Sequence, residues 1–151
     1  MKKNIQAFFM VLFFVNFIFL GCKEKTENTI KIAFIAPLKI TTGIAMKKAI
    51  LMVVDEINLS GGIKVKINGA EKAYKIEILF IDDGLDDVSN TSIKLRQAIE
   101  QEGCSMIVGG FSTKVVIPLL DIMAEKKVLW LGTGGAGTGV VEKIKNNYEK
   151  Y

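Results

Sequence analysis

Four short apolar runs, separated by longer stretches of helical periodicity, constrain this chain more than any other feature of its 151 residues. The runs are residues 30–36, 76–81, 106–108 and 128–131. Rich in Ile, Val, Leu and Phe and nearly continuous, they read as strands buried on both faces. Helical spacing fills the gaps. Residues 44–58 carry Ala45, Ala49, Met52, Val53 and Ile57, and residues 90–102 carry Ile93, Leu95, Ala98 and Ile99. Residues 114–126 carry Val116, Leu119, Leu120 and Met123, with Pro118 expected in the first turns, where a missing N–H is tolerated. Ser60-Gly61-Gly62 ends the first helix, and residues 65–69 read as a strand entering an Asn68-Gly69 turn, a pair that adopts positive φ cheaply. Strands alternating with helices predict an α/β fold, a Rossmann-like parallel sheet flanked by helices, beginning near Ile30.

Residues 1–21 are of another kind, with 15 hydrophobic residues and six of the nine phenylalanines. Lys2-Lys3, an apolar run over residues 5–20 and Gly21 before Cys22 read as a secretory signal peptide. The run is short for spanning roughly 30 Å of hydrocarbon, although an uncleaved anchor is the alternative. Phe19-Leu20-Gly21-Cys22 resembles a bacterial lipobox, with Phe19 where leucine is usual. That resemblance implies cleavage before Cys22 and lipidation of its thiol, enough for stable membrane anchoring. Residues 22–29, charged and nearly free of apolar side chains, read as a tether.

Composition then removes several chemistries. The chain has no histidine, which excludes Ser-His-Asp and Cys-His catalysis and any imidazole metal site. Its two cysteines, Cys22 and Cys104, are too far apart for a CxxC pair, and Cys104 is expected in the core. Without Lys2 and Lys3 the formal charge of +4 falls to +2, which makes no case for nucleic acid.

In open α/β sheets, ligands bind beyond the carboxyl ends of the strands. Four loops qualify: residues 37–43, 82–87, 109–113 and 132–138. Gly109-Gly110-Phe111-Ser112-Thr113 offers close backbone approach, helix N–H donors and two hydroxyls, either of which can instead cap the helix. Gly132-Thr133-Gly134-Gly135-Ala136-Gly137 satisfies GxGxxG. It follows the fourth run rather than the first βα turn, and an acidic ribose partner would fall beyond Tyr151, so a glycine-lined site for a small polar ligand fits better. Asp82-Asp83-Gly84-Leu85-Asp86-Asp87 lacks cation-loop spacing and reads as solvated acids near a helix start. Lys126-Lys127 reads as solvated helix-end charge, and Trp130 as core. No nucleophile-plus-base pair is present, and no cofactor or metal is implied.

Taken together, these segments resemble the solute-binding proteins of branched-chain amino-acid (Leu/Ile/Val-type) ABC transporters, the type I periplasmic binding proteins. The resemblance runs through Ile30-Lys31-Ile32-Ala33-Phe34-Ile35-Ala36-Pro37-Leu38, Asp55-Glu56-Ile57-Asn58 with Ser60-Gly61-Gly62-Ile63, and Phe80-Ile81-Asp82-Asp83. It continues through Ile107-Val108-Gly109-Gly110-Phe111-Ser112, Trp130-Leu131-Gly132-Thr133-Gly134 and Asn147-Tyr148-Glu149-Lys150-Tyr151. It implies a two-lobed extracytoplasmic protein that closes on a small ligand, an amino acid in the type members, and delivers it to an ABC permease. Carried over, Thr113 stands at the ligand hydroxyl position with Ser112 and Phe111 beside it, and Gly134 at a main-chain contact. Ala136 falls where Leu/Ile/Val-binding members have threonine; Thr138, two positions on, is a substitute hydroxyl.

The resemblance implies that residues 30–151 are the N-terminal part of a first lobe in members more than twice as long, with the second lobe absent from a truncated or split chain. The expected function is therefore binding, not catalysis, by a lipoprotein facing the periplasm or cell exterior. A sensory receptor's ligand-binding domain uses the same lobe and is the first alternative. A nucleotide-binding Rossmann enzyme using residues 132–137 is the second.

Overall fold

The computed structural model describes residues 28–135 and 137–148. The apolar N-terminal run, Cys22, most of the tether, Ala136 and residues 149–151 lie outside the described residues. The element order is β1 (Thr29–Ala36), α1 (Thr41–Leu59), β2 (Ile63–Ile67), β3 (Ala70–Asp82), α2 (Val88–Glu100), β4 (Met106–Gly109), α3 (Thr113–Lys126), β5 (Leu129–Gly132) and α4 (Thr138–Tyr148).

Five strands form one sheet in the order β2-β3-β1-β4-β5. β3, β1, β4 and β5 are parallel, with Ile32 opposite both Ile78 and Met106, and Val108 opposite Leu131. The sheet is mixed rather than all parallel, because β2 pairs antiparallel with the outer half of β3. The Asn68-Gly69 turn behaves as its residues predict, with φ of 51° and 82°. β3 starts six residues before its apolar run, since Glu71 and Lys72 lie in that exposed hairpin and Lys75 follows it, opposite Thr29 of β1. Where β2 ends, the Asn58 side chain takes over: its amide donates to the Ile76 carbonyl and accepts from the Ile76 N–H, both at 2.8 Å.

Side-chain alternation splits the core by face. Ala33, Ile35, Ile81 and Ile107 point toward α2, α3 and α4, meeting Leu95, Val116, Leu119 and Val140. Ile32, Ile76 and Val108 point the other way, toward α1 with Val54, Ile50 and Ile57. Each aliphatic side chain fully buried this way contributes about 1.5–3 kcal/mol. Cys104 is buried and free, as expected, and burial pushes its thiol up.

Four further expectations are corrected. β5 is an edge strand, so Leu129 and Leu131 remain 63% and 60% exposed on the α1 side and are not buried on both faces. Trp130 is only half-buried, packing on the larger core while its indole N–H donates to the Gly109 carbonyl at 3.0 Å. Pro118 is the sixth residue of α3, beyond the first turn, so the Lys114 carbonyl loses its helical donor. Lys126 is also not simply solvated; it pairs with Glu100 at 2.8 Å and Glu125 at 2.9 Å.

Candidate functional site

The parallel strands deliver Asp82, Ala36, Gly109 and Gly132 to one edge of the sheet, with β1 between neighbours reached by crossovers in opposite directions. This is the geometry that opens a crevice in α/β sheets. What fills it depends on how the four exits are tied together.

The β4 exit folds back over β1. The Gly110 N–H donates to the Ile35 carbonyl at 2.8 Å, and Gly109 has φ +104°. A Cβ on Gly109 would stand 2.2 Å from the Ile35 carbonyl oxygen, so only glycine fits. The β5 exit then lies against the β4 exit, because the Gly135 N–H donates to the Gly110 carbonyl at 2.7 Å. Sequence reading placed these two glycine-rich loops at the same edge; their direct bond brings them together.

Ser112 and Thr113 diverge. Ser112 occupies the N-cap position of α3 with extended φ and ψ of −85° and 121°, yet its side chain makes no cap bond. Its hydroxyl donates instead to Asp86 Oδ1 at 3.2 Å, across to the β3 exit. Thr113 faces the β5 exit, its Oγ1 3.1 Å from where a Cβ on Gly137 would sit, and its hydroxyl makes no hydrogen bond to another described residue. Neither hydroxyl therefore caps the helix, contrary to one reading of the sequence. Phe111 is 38% exposed and borders Gly134, which is itself exposed. Thr138 is exposed at the first position of α4, and Ala136 lies outside the described residues.

The acidic loop is only in part a set of solvated charges: Asp86 and Asp87 are exposed, whereas Asp82 is half-buried and Asp83 buried. Asp82 Oδ1 accepts the Leu38 N–H at 3.0 Å and the Gly84 N–H at 3.2 Å, and Oδ2 pairs with Lys39 at 3.4 Å. Burial pulls the Asp82 carboxyl up, but those N–H donors and Lys39 outweigh it and hold it below its ordinary value. Asp83 is fully buried; Oδ1 accepts the Leu85 N–H at 3.0 Å and Oδ2 has no partner among the described residues. Burial drives its carboxyl up, and the charges of Asp82 and Asp86 add to the rise. Asp87 does cap α2, accepting the Asn90 N–H at 3.1 Å. Lys114 reaches Asp86 Oδ2 at 3.3 Å. Among the described residues no three acidic or cysteine side chains are grouped to hold a metal ion.

Beside the β4 and β5 exits, a cavity of about 560 Å³ runs under α1, lined by Phe34, Met46, Ile50, Val108, Phe111 and Thr133. Sequence reading missed this apolar floor. Phe34 and Val108 become neighbours only through the pairing of β1 with β4. The GxGxxG reading gains nothing from the geometry, since the run follows an edge strand and the Gly135 N–H is already bonded.

A family model described as "Periplasmic binding protein" matches residues 29–148. No curated protein sequence matches the chain. Among solved structures, a Silicibacter pomeroyi protein described as a branched-chain amino-acid ABC transporter aligns with a TM-score of 0.66 and 25% identity, covering 82% of this chain and 30% of its own. The branched-chain amino acid transporter substrate binding protein LivJ of Streptococcus pneumoniae, in complex with isoleucine, aligns with a TM-score of 0.63 and 22% identity, covering 76% and 31%. An R. palustris ABC transporter solute binding protein, in complex with 4-hydroxybenzoate, aligns with a TM-score of 0.59 and 18% identity, covering 77% and 30%. This chain thus spans less than a third of each of these structures. Among the described residues no helix is long and apolar enough to cross a membrane.

Proposed function

Because this chain belongs to the periplasmic binding protein family, we propose that it grips solute for an ABC importer, as the N-terminal part of the binding component's first lobe. Proteins of this family bind small molecules outside the cytoplasm. The solute here is an amino acid or a similar small polar molecule, held without chemistry by backbone groups and hydroxyls. The supporting observation is the Gly135-to-Gly110 bond, which sets two glycine-rich strand exits side by side with the Thr113 hydroxyl between them. Thr113 then supplies the ligand hydroxyl with Ser112 and Phe111 beside it, Gly134 supplies a main-chain contact, and Thr138 stands in for the hydroxyl that Ala136 lacks. Residues 1–21 act as signal peptide, Cys22 carries the lipid, and residues 22–29 tether residues 30–151 to the membrane.

Titration of the isotope-labelled full chain in detergent with L-isoleucine tests the reading. Amide shifts confined to residues 110–113 and 134–138 are expected. Absence of shifts there, or shifts of residues 132–137 on adding NAD, would overturn it. Acyl labelling tests the anchor separately: Cys22→Ser should abolish incorporation of labelled palmitate, and persistent incorporation would refute lipidation.

A further inference from the structure

The geometry points to Asp86 as a specificity-determining residue, which with Ser112 and Lys114 makes a charge filter favouring a ligand that carries its own cation over a plain carboxylate. The proposal rests on the binding reading above and names the chemistry that the site prefers.

Two independent features converge on it. The first is hydrogen-bond polarity. Ser112 donates its only hydroxyl proton to Asp86 Oδ1 at 3.2 Å, so toward a ligand its oxygen offers lone pairs alone. A ligand ammonium or N–H satisfies those lone pairs; a carboxylate cannot. The second is charge. Lys114 is paired with Asp86 Oδ2 at 3.3 Å, and Lys39, the lysine of the β1 exit, is paired with Asp82 at 3.4 Å. Both exit lysines are therefore committed to carboxylates of the β3 exit, which also carries Asp83 and Asp87. A plain anion arriving at this edge meets no uncommitted lysine from these loops. A zwitterion brings its own compensation, keeping its carboxylate for the backbone N–H groups and its ammonium for Ser112.

Asp86 and Lys114 are 60% and 79% exposed, so replacing either leaves the core untouched. Asp86→Asn keeps an oxygen for Ser112 and removes the charge; Asp86→Ala removes both. The full chain and both variants, in detergent, are titrated with L-isoleucine and with 4-hydroxybenzoate by amide shift. Both variants should lower the isoleucine-to-hydroxybenzoate affinity ratio by about threefold or more, and salt should shrink that change because it screens exposed charge. Hydrogen exchange supplies a ligand-free readout: amides 112–114 should exchange faster in Asp86→Ala and unchanged in Asp86→Asn. An unchanged ratio with binding intact overturns the filter while leaving the binding reading standing. An unchanged exchange pattern in Asp86→Ala also overturns it. If neither probe shifts residues 110–113 in any of the three proteins, the binding reading falls, and the filter with it.

Discussion

At Gly109 the backbone of the β4 exit passes so close to β1 that a single added methyl has nowhere to go. Gly109→Ala would combine a strained positive φ with a 2.2 Å approach to the Ile35 carbonyl oxygen, and should lower stability by more than about 2 kcal/mol. A urea midpoint equal to that of the parent would refute this. Asp83 makes a different prediction. Its carboxyl is pushed above its ordinary value in the fold, so its contribution is fully present below the unfolded value near 3.8 and is lost as pH rises through the folded one. At neutral pH the chain carries the cost of burying that carboxyl, one oxygen of which has no partner among the described residues. Asp83→Asn, which keeps the acceptor for Leu85, should raise Tm at pH 7, with the gain vanishing near pH 3. A variant less stable than the parent at both pH values would contradict the account. Neither residue's role was legible beforehand. Gly109 reads as one glycine of a loop, and its neighbour Ile35 is 74 positions away; Asp83 reads as one acid among four.

Among the elements, α4 adds polar ties to a small apolar contact. Only Val140 of this helix is buried, while Asp121 on α3 accepts from Lys143 at 2.6 Å and from the Tyr148 hydroxyl. The bond to Asp121 pushes Tyr148 up to about 12, and Lys143 and Tyr148 hold Asp121 below its ordinary value. The sign follows for each. Tyr148 contributes fully below pH 10 and loses its contribution as pH rises through about 12; Asp121 contributes above 3.8 and loses it as pH falls through its depressed value. Asp121→Ala should therefore speed hydrogen exchange in residues 140–148 at neutral pH with little change at α2, and equal protection would argue against the tie. Elements were the most legible scale of the sequence. Continuous Ile, Val and Leu runs marked β1 and β4 to within a residue, because burial on both faces leaves no room for polar side chains. The outer half of β3 was hidden, since a hairpin exposed to water tolerates Glu71 and Lys72. The start of α1 was also read late, because Gly43 looks like loop but packs in the first helical turn against Pro37.

For the molecule as a whole, the two faces of the sheet are unequally covered. Among the described residues three helices pack on one side and α1 alone on the other, leaving Leu129 and Leu131 exposed along an edge strand. An apolar edge without charge, proline or bulge is a template for pairing. Leu131→Lys should raise the soluble, monodisperse fraction of the full chain in light scattering, and equal aggregation would show that this edge is not the cause. The exposed face was not visible in a run of Val, Leu and Trp that reads as doubly buried. The same limit applies to the site. Its loops were legible because glycine and hydroxyl residues cluster after strands, whereas the partners of Ser112 and Asp82 depend on which loops the topology brings together.

The placement of β1 has a consequence in time. As the first strand to be synthesised, it has no neighbour until residues near 75 have been made, and its second flank waits for residues 106–109. Contacts so distant along the chain form slowly, because long loops must close before they are rewarded. The centre of the sheet is thus the first part made and among the last to lock. For a chain expected to be exported behind a signal peptide, that delay is an interval in which it can still be threaded through a membrane.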